Sequence, residues 1–497
     1  MRGRLVTGIA ALIAAAVLGA GCSPSPETRA NPRAGTTPAF TDQPNMSTPA
    51  PGSPQKSGPA AGSPSSGDSL LPNQGNGGYD VTHYAIAIAY DPTTRILTGT
   101  NKITATATQA LSSFDLDLHA LNVTSVTVNA KPAKFSLAND KLMITPARPI
   151  ASRTKITTEI KYGGVPQPFN DDAFGPQGFV SKPDGAIAQG QPRGASTWFP
   201  VNDRLTDKAS YEIAITAPTG LAAVSNGRLA SERVNGSLTT WRWVEAAPMA
   251  SYLAVAAIGR FRVATTTHNG LPVVLAVADT LPPTVDTELA KTPAIVDFLV
   301  SQFGPYPFNS MGGIVHTETS LDALETQTRP AYSSDDFDSA DDADDTMAHE
   351  LAHQWFGDSV TVADWSDIWL NEGFATYAEW LWSEHVGGRT PKQSFDRLYN
   401  RGDDLPLDPP ARPTLDSLFG DSVYDRGAAT LEALRITVGD EIFWRIIRGW
   451  AQVHAGGDAT TAEFIAYADR VSGVSLDTFL RTWLYTPGKP PYPQPLR

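Results

Sequence analysis

The feature that most constrains this chain is the stretch "MAHELAHQWFGDSV" at residues 347–360, with His349 and His353 four apart and Glu350 directly after the first. On an α-helix, residues four apart lie one turn above each other on the same side, so both imidazoles can face one ion. Helices of the H-E-x-x-H pattern hold zinc through both histidines, and the intervening glutamate serves as general base. The plain alternative is an amphipathic helix that carries two solvated or core-packed histidines. The acidic run "DDADDT" (341–346) sits where that helix should begin and suits the positive end of its dipole. A second helix is expected in "WSDIWLNEGFATYAEWLW" (365–382), capped by Ser366 or Asp367, with Glu372 and Glu379 seven apart on one face. A hydrolytic zinc site takes three protein ligands and keeps one position open. Glu372 would complete a two-histidine, one-glutamate set, and the eighteen residues between it and His353 are enough for a turn-back into the second helix.

The single cysteine, Cys22, allows no intrachain disulfide and excludes cysteine-rich metal sites, which leaves histidine and carboxylates as ligands. A net charge of −14 argues against nucleic-acid binding. The opening "MRGRLVTGIAALIAAAVLGAGC" joins two arginines, an apolar stretch and small residues, and is expected to be a signal peptide (1–22) that directs export. Residues 23–78, rich in Pro, Ser, Gly, Thr and Ala, are expected to be a disordered tether. From Tyr79, alternating stretches such as "HYAIAIAY", with Tyr84, Ile86, Ile88 and Tyr90 on one face, predict a sheet-rich domain over 79–264. Residues 265–497 pass from the β segment "LPVVLAVAD" to helical periodicity in "AKTPAIVDFLVSQFG" and "ATLEALRITVGDEIFWRIIRGW". The fold class is therefore α+β, a sheet-rich domain followed by a mainly helical one. Trp355, Trp365, Trp369, Trp380 and Trp382 either line a subsite or, as is commoner for such clusters, belong to the core.

"HELAHQWFG" followed at this interval by "NEGFATYAE" resembles the aminopeptidase N family of zinc metallopeptidases. The similarity extends through "WFPVNDRLTDKASYEIAITAPTGLAAVSNG" and covers residues 79–497. It implies an N-terminal β-domain, a thermolysin-like catalytic domain, one Zn2+ per chain held by His349, His353 and Glu372, and peptides as substrates. Glu350 would be the general base, and Glu379 would orient a ligand histidine. "VYDRGAA" resembles the family's tyrosine-containing segment and implies Tyr424 as donor to the oxyanion, with Arg426 where the family commonly has lysine. "LDALETQTRPAY" resembles the G-x-M-E-N edge strand, with Asp322, Leu324 and Thr326 replacing its Gly, Met and Asn. It implies Glu325 as the group that binds the substrate's free amine. "AQGQPRGASTWFP" offers Gln189 or Gln191 for the same amine.

Cys22 after a small-residue run resembles the lipid-modified cysteine of bacterial lipoproteins, although Gly19 stands where the lipobox usually has leucine. This implies attachment to the cell envelope through a lipid on Cys22, an uncleaved anchor being the alternative. With 125 residues after Glu372, the large helical C-terminal domain of long family members is expected to be missing. The leading expectation is an exported zinc aminopeptidase. Its rivals are a zinc endopeptidase tolerant of blocked N-termini and a non-catalytic surface binding lipoprotein.

Overall fold

A computed structural model describes residues 58–171, 174–400 and 405–496; the expected signal peptide, Cys22 and most of the expected tether lie outside the described residues. Strand Tyr79–Asp91 buries Tyr84, Ile86, Ile88 and Tyr90, as its alternation predicts. It turns at Asp91–Arg95, where the Asp91 carbonyl and side chain accept from the amides of Arg95 and Thr93, and pairs antiparallel with Ile96–Ala107. This hairpin is the centre of an eight-stranded sheet. On one flank Ala209–Pro218 runs parallel to Tyr79–Asp91, and on the other Lys155–Gly164 runs antiparallel to Ile96–Ala107.

A five-stranded sheet contains Gly175–Lys182, Gly185–Gln189 and Ala256–Gly259 and ends one strand on Gln189. A four-stranded sheet follows, in the order Phe261–His268, Leu271–Ala278, Met311–His316, Ala331–Ser333. The expected boundary at 264/265 therefore falls inside a strand. Phe261–His268 pairs along its whole length with Leu271–Ala278, so the second part of the chain already begins at Phe261.

Residues 58–78 correct the expected tether. Ala60–Ala61 adds a short strand beside Leu111–Asp117, and Leu71 is buried. Low hydrophobicity did not prevent order here because the segment's polar side chains find fixed partners in the folded part, as Asn76 does in Asn202 and Asp117.

The helical part has the expected helices Thr292–Phe303, Ala340–Ala352 and Trp369–His385. The periodic stretch after residue 426 is two helices, Gly427–Val438 and Asp440–Val453, broken at Gly439 with φ +80°. Trp355, Trp365, Trp369 and Trp382 are buried and Trp380 is partly buried, so the cluster is core. The first sheets are bolted to the helical part by buried polar contacts. The Lys208 ammonium donates to the carbonyls of Asp358, Ser359 and Gly457, and the buried Arg329 donates to those of Met311 and Gly227.

Candidate metal centre and the residues around it

The helix Ala340–Ala352 is started by Ser339, whose hydroxyl oxygen accepts from the Asp342 amide, with Asp341 and Asp342 in its first turn. Its C-terminal end carries His349 and Glu350 into the core, and His353 follows as the last helical turn closes. The second helix, Trp369–His385, lacks the expected cap: Ile368 precedes it, with no side-chain cap. Asp364 accepts from the Ser366 amide at a single 3-10 turn that precedes the helix, and the Asp367 side chain accepts instead from the Thr461 amide. Asp364 therefore caps the turn at 365–367, and that turn runs through Ile368 straight into the helix.

These two helices bring His349, His353 and Glu372 together, all three buried. Each histidine Nε2 lies 3.3 Å from Glu372 Oε2. Donor atoms on a tetrahedral zinc with bonds of about 2.0–2.1 Å are separated by about 3.3–3.4 Å, so this spacing fits the ion. Electrostatics point the same way. Burial would push Glu372 up, but the charge on His353 and hydrogen bonds to both imidazoles bring it down to about 2. Burial would lower His349, yet its bonds to Glu372 and Glu379 raise it to about 9. The cluster thus demands positive charge, which two protons or one dication can supply.

The far nitrogens of both rings are fixed. His349 Nδ1 is 2.5 Å from Glu379 Oε1, and His353 Nδ1 is 2.9 Å from the Phe356 carbonyl. Such partners hold each ring so that its Nε2 faces the ion. Gly357, with φ +137°, follows directly, and a Cβ there would stand 3.2 Å from His353 Nδ1.

Glu350 is buried beside the ligands but outside their set, and its Oε2 has no hydrogen-bond partner among the described residues. Burial, partly countered by the two histidines, pushes its carboxyl up to about 8. Tyr424 lies in a π-helical turn, Ser422–Arg426, immediately before Gly427–Val438. Its ring stacks on that of His349, with centroids 5.8 Å apart and planes at 24°. Arg426, by contrast, is buried away from this chemistry and donates to carbonyls that include those of Trp483, Leu407 and Thr486. Gly373 lets the two helices meet, since a Cβ on it would stand 2.8 Å from Gly427 Cα.

Glu325 follows Leu324, which bridges Ala331 at the edge of the four-stranded sheet. Its buried carboxylate lies beside Glu350 and His353, ligand atoms of the three residues falling within 4.8 Å of one another. Burial raises its pKa, and the charge on His353 lowers it. The two glutamines separate clearly. Gln191 Nε2 donates to Glu325 Oε1 at 3.0 Å, whereas Gln189 Nε2 donates to the Asp322 carbonyl at 3.1 Å. Sequence reasoning missed Gln354, whose Nε2 donates to the Glu325 carbonyl at 3.3 Å and whose Oε1 accepts from the Thr328 amide at 2.7 Å. Its place directly after ligand His353 was the available signal. The Phe356 carbonyl was also missed, and a backbone group has no signature of its own.

Comparison with known proteins agrees with this geometry. Residues 80–253 match the Peptidase M1 N-terminal domain and residues 304–483 the Peptidase family M1 domain. Aminopeptidase M1 of Arabidopsis thaliana is 28% identical over 327 residues, 61% of this chain and 37% of that protein. Aminopeptidase N of Streptomyces lividans is 26% identical over 308 residues, 56% of this chain and 36% of that one. The chain thus spans little more than a third of these relatives' length. A crystal structure of a mutant M1 zinc metallopeptidase from Deinococcus radiodurans, bound to a Tyr-Ser-Ala substrate, superposes with a TM-score of 0.80 at 29% identity and covers 87% of this chain and 100% of that one. With both domain models matched and a buried two-histidine, one-glutamate centre inside the second, the chain belongs to peptidase family M1, the aminopeptidase N family of zinc metallopeptidases.

Proposed function

We propose that the protein is a zinc aminopeptidase that removes single residues from the N-termini of peptides. One observation carries this reading: the Glu325 carboxylate lies within 4.8 Å of ligand atoms on Glu350 and His353. In an N-terminal residue only Cα separates the ammonium group from the first carbonyl carbon. A carboxylate this near the base therefore leaves room for one residue between the amine it holds and the bond to be cut.

Zinc held by His349, His353 and Glu372 would polarise the scissile carbonyl and acidify the attacking water. Glu350 takes the water's proton and passes it to the leaving amine, work that requires a carboxylate beside the ligands but not among them. The Tyr424 hydroxyl, kept protonated by burial and by the nearby carboxylates of Glu372 and Glu350, donates to the oxygen that gains charge at the carbonyl. Glu325, supported by Gln191, holds the substrate ammonium. Acetylation removes that positive charge and leaves a buried carboxylate unpaired, which opposes binding.

The test is kcat/KM for matched free and N-acetyl peptides, with and without chelator. A strong preference for the free amine is expected, with hydrolysis lost on metal removal, and equal rates on both peptides would favour an endopeptidase instead. We also propose export and attachment to the outer face of the cytoplasmic membrane through a lipid on Cys22, on the strength of residues 1–22 alone. Cys22→Ala should then leave the membrane fraction, and its retention there would favour an uncleaved anchor.

A further inference from the structure

Residues 66–76 run as a strap between the two working parts of the chain. At one end Asp68 Oδ1 accepts from the amides of Leu70 and Leu71, and its Oδ2 accepts from the Trp365 amide at 2.9 Å. Ser69 donates to Asp364 through its amide at 2.9 Å and its hydroxyl at 2.5 Å. The strap is thus fastened to the cap of the turn that leads into the Glu372 helix. At the other end the Asn76 amide donates to Asn202 Oδ1 at 2.7 Å, and Lys141 donates to the Gly75 carbonyl at 2.9 Å. Gly75 has φ +69°, and a Cβ on it would stand 2.8 Å from Arg204 Cβ. Between these ends Gln74 has little freedom, its amide donating to the Leu71 carbonyl and its own carbonyl accepting from Ser66. Its side-chain Nε2 donates to the Pro192 carbonyl at 2.7 Å.

Pro192 follows Gln191, whose carboxamide bridges to Glu325. That turn is closed by a bond from the Gly194 amide to the Gly190 carbonyl, and Arg193 reaches Asp171 at 2.7 Å. A long glutamine side chain that spans two parts of a fold keeps one rotamer only if its backbone is held, because ordering it costs conformational entropy. We infer that Gln74 is a positioning residue for recognition of the substrate's free amine: through the Pro192 carbonyl it holds the turn that keeps Gln191 on Glu325. The inference rests on the aminopeptidase reading above and names how that site is kept in register.

The experiment uses the full chain and four variants, Gln74→Ala, Gln74→Glu, Gln191→Ala and the Gln74→Ala/Gln191→Ala double. For each, kcat/KM is measured on matched free and N-acetyl alanyl peptides. Gln74→Glu preserves shape and replaces the donor by an acceptor that faces a carbonyl. The ratio of the two rates on one preparation is independent of the fraction of active enzyme, so partial misfolding does not mask the result. Both Gln74 variants should lower the free-to-acetyl ratio by about three- to tenfold, mainly through a higher KM for the free peptide, with zinc content unchanged. The double variant should discriminate no less than Gln191→Ala alone, because the two residues act in one chain of contacts. An unchanged ratio in Gln74→Glu, an additive loss in the double variant, or no effect of Gln191→Ala would overturn the inference. A wild type that fails to discriminate would defeat the aminopeptidase reading itself and this inference with it, an outcome distinct from the other three.

Discussion

Glu379 and His349 stand thirty positions apart in the chain and meet at 2.5 Å, carboxylate oxygen to Nδ1. The contact leaves Nε2 as the nitrogen that faces His353 and Glu372. Glu379→Gln keeps the size but removes the charge that holds the ring, so zinc affinity should fall about 10- to 100-fold. Competition with a chromophoric chelator measures the change. An affinity equal to wild type would show that Glu379 does not tune the ligand.

Glu350 and His353 should separate chemistry from metal binding. Glu350→Gln should retain zinc and lose nearly all hydrolysis, because only the proton acceptor is gone, whereas His353→Ala should lose the metal. Metal analysis beside initial rates reads both, and near-normal turnover by the glutamine variant would contradict the role given to Glu350.

Tyr424→Phe removes one hydroxyl while the ring can still stack on His349. Loss of one oxyanion donor typically lowers kcat by about a hundred- to a thousandfold. Unchanged KM and zinc content with that fall in kcat is the expected pattern. A rate within twofold of wild type would exclude this tyrosine as the donor.

Gly373→Ala tests the close crossing of the two helices. Its Cβ would stand 2.8 Å from Gly427 Cα, so the helices must move apart or bend. Overpacking of this kind costs about 1–3 kcal/mol, and the shift also carries Glu372 away from Tyr424. A lowered melting temperature together with a lowered kcat is expected. Activity and stability both at wild-type level would show that the crossing accommodates a methyl group without cost.

His316 gives a pH dependence away from the metal. Burial, helped by Lys182, lowers its pKa from 6.5 to about 3, and its Nε2 has no hydrogen-bond partner among the described residues. Between those values the unfolded chain binds a proton that the folded chain refuses. The contribution to stability is therefore fully present above pH 6.5 and is lost as pH falls towards 3. By pH 5 the loss from this one group is about 2 kcal/mol. Melting curves of wild type and His316→Asn at pH 7 and pH 5 check it: the drop should be smaller in the variant, and equal drops would refute the assignment.

Sequence alone determined the parts whose geometry is local. Four-residue spacing on a helix set His349 above His353, and two-residue alternation from Tyr84 to Tyr90 gave the buried face of the central strand. The interval to Glu372, with the wording around it, was enough to name the family. Tertiary structure decided what depends on segments far apart in the chain. Gln189 and Gln191 share the parity of a strand, so alternation cannot separate them. The strand ends at Gln189, and the turn beyond it sends Gln191 across to Glu325. Residues 58–78 read as unstructured because they bury little apolar surface, yet Asp68, Ser69, Gln74 and Asn76 are ordered by partners at 365, 364, 192 and 202. The carbonyl that holds His353 is near in sequence, three residues on, but it is a backbone group, present at every residue, and has no signature to mark it. Local periodicity is written into residue spacing, whereas contacts across a hundred or more residues arise only when the sheets and helices have packed.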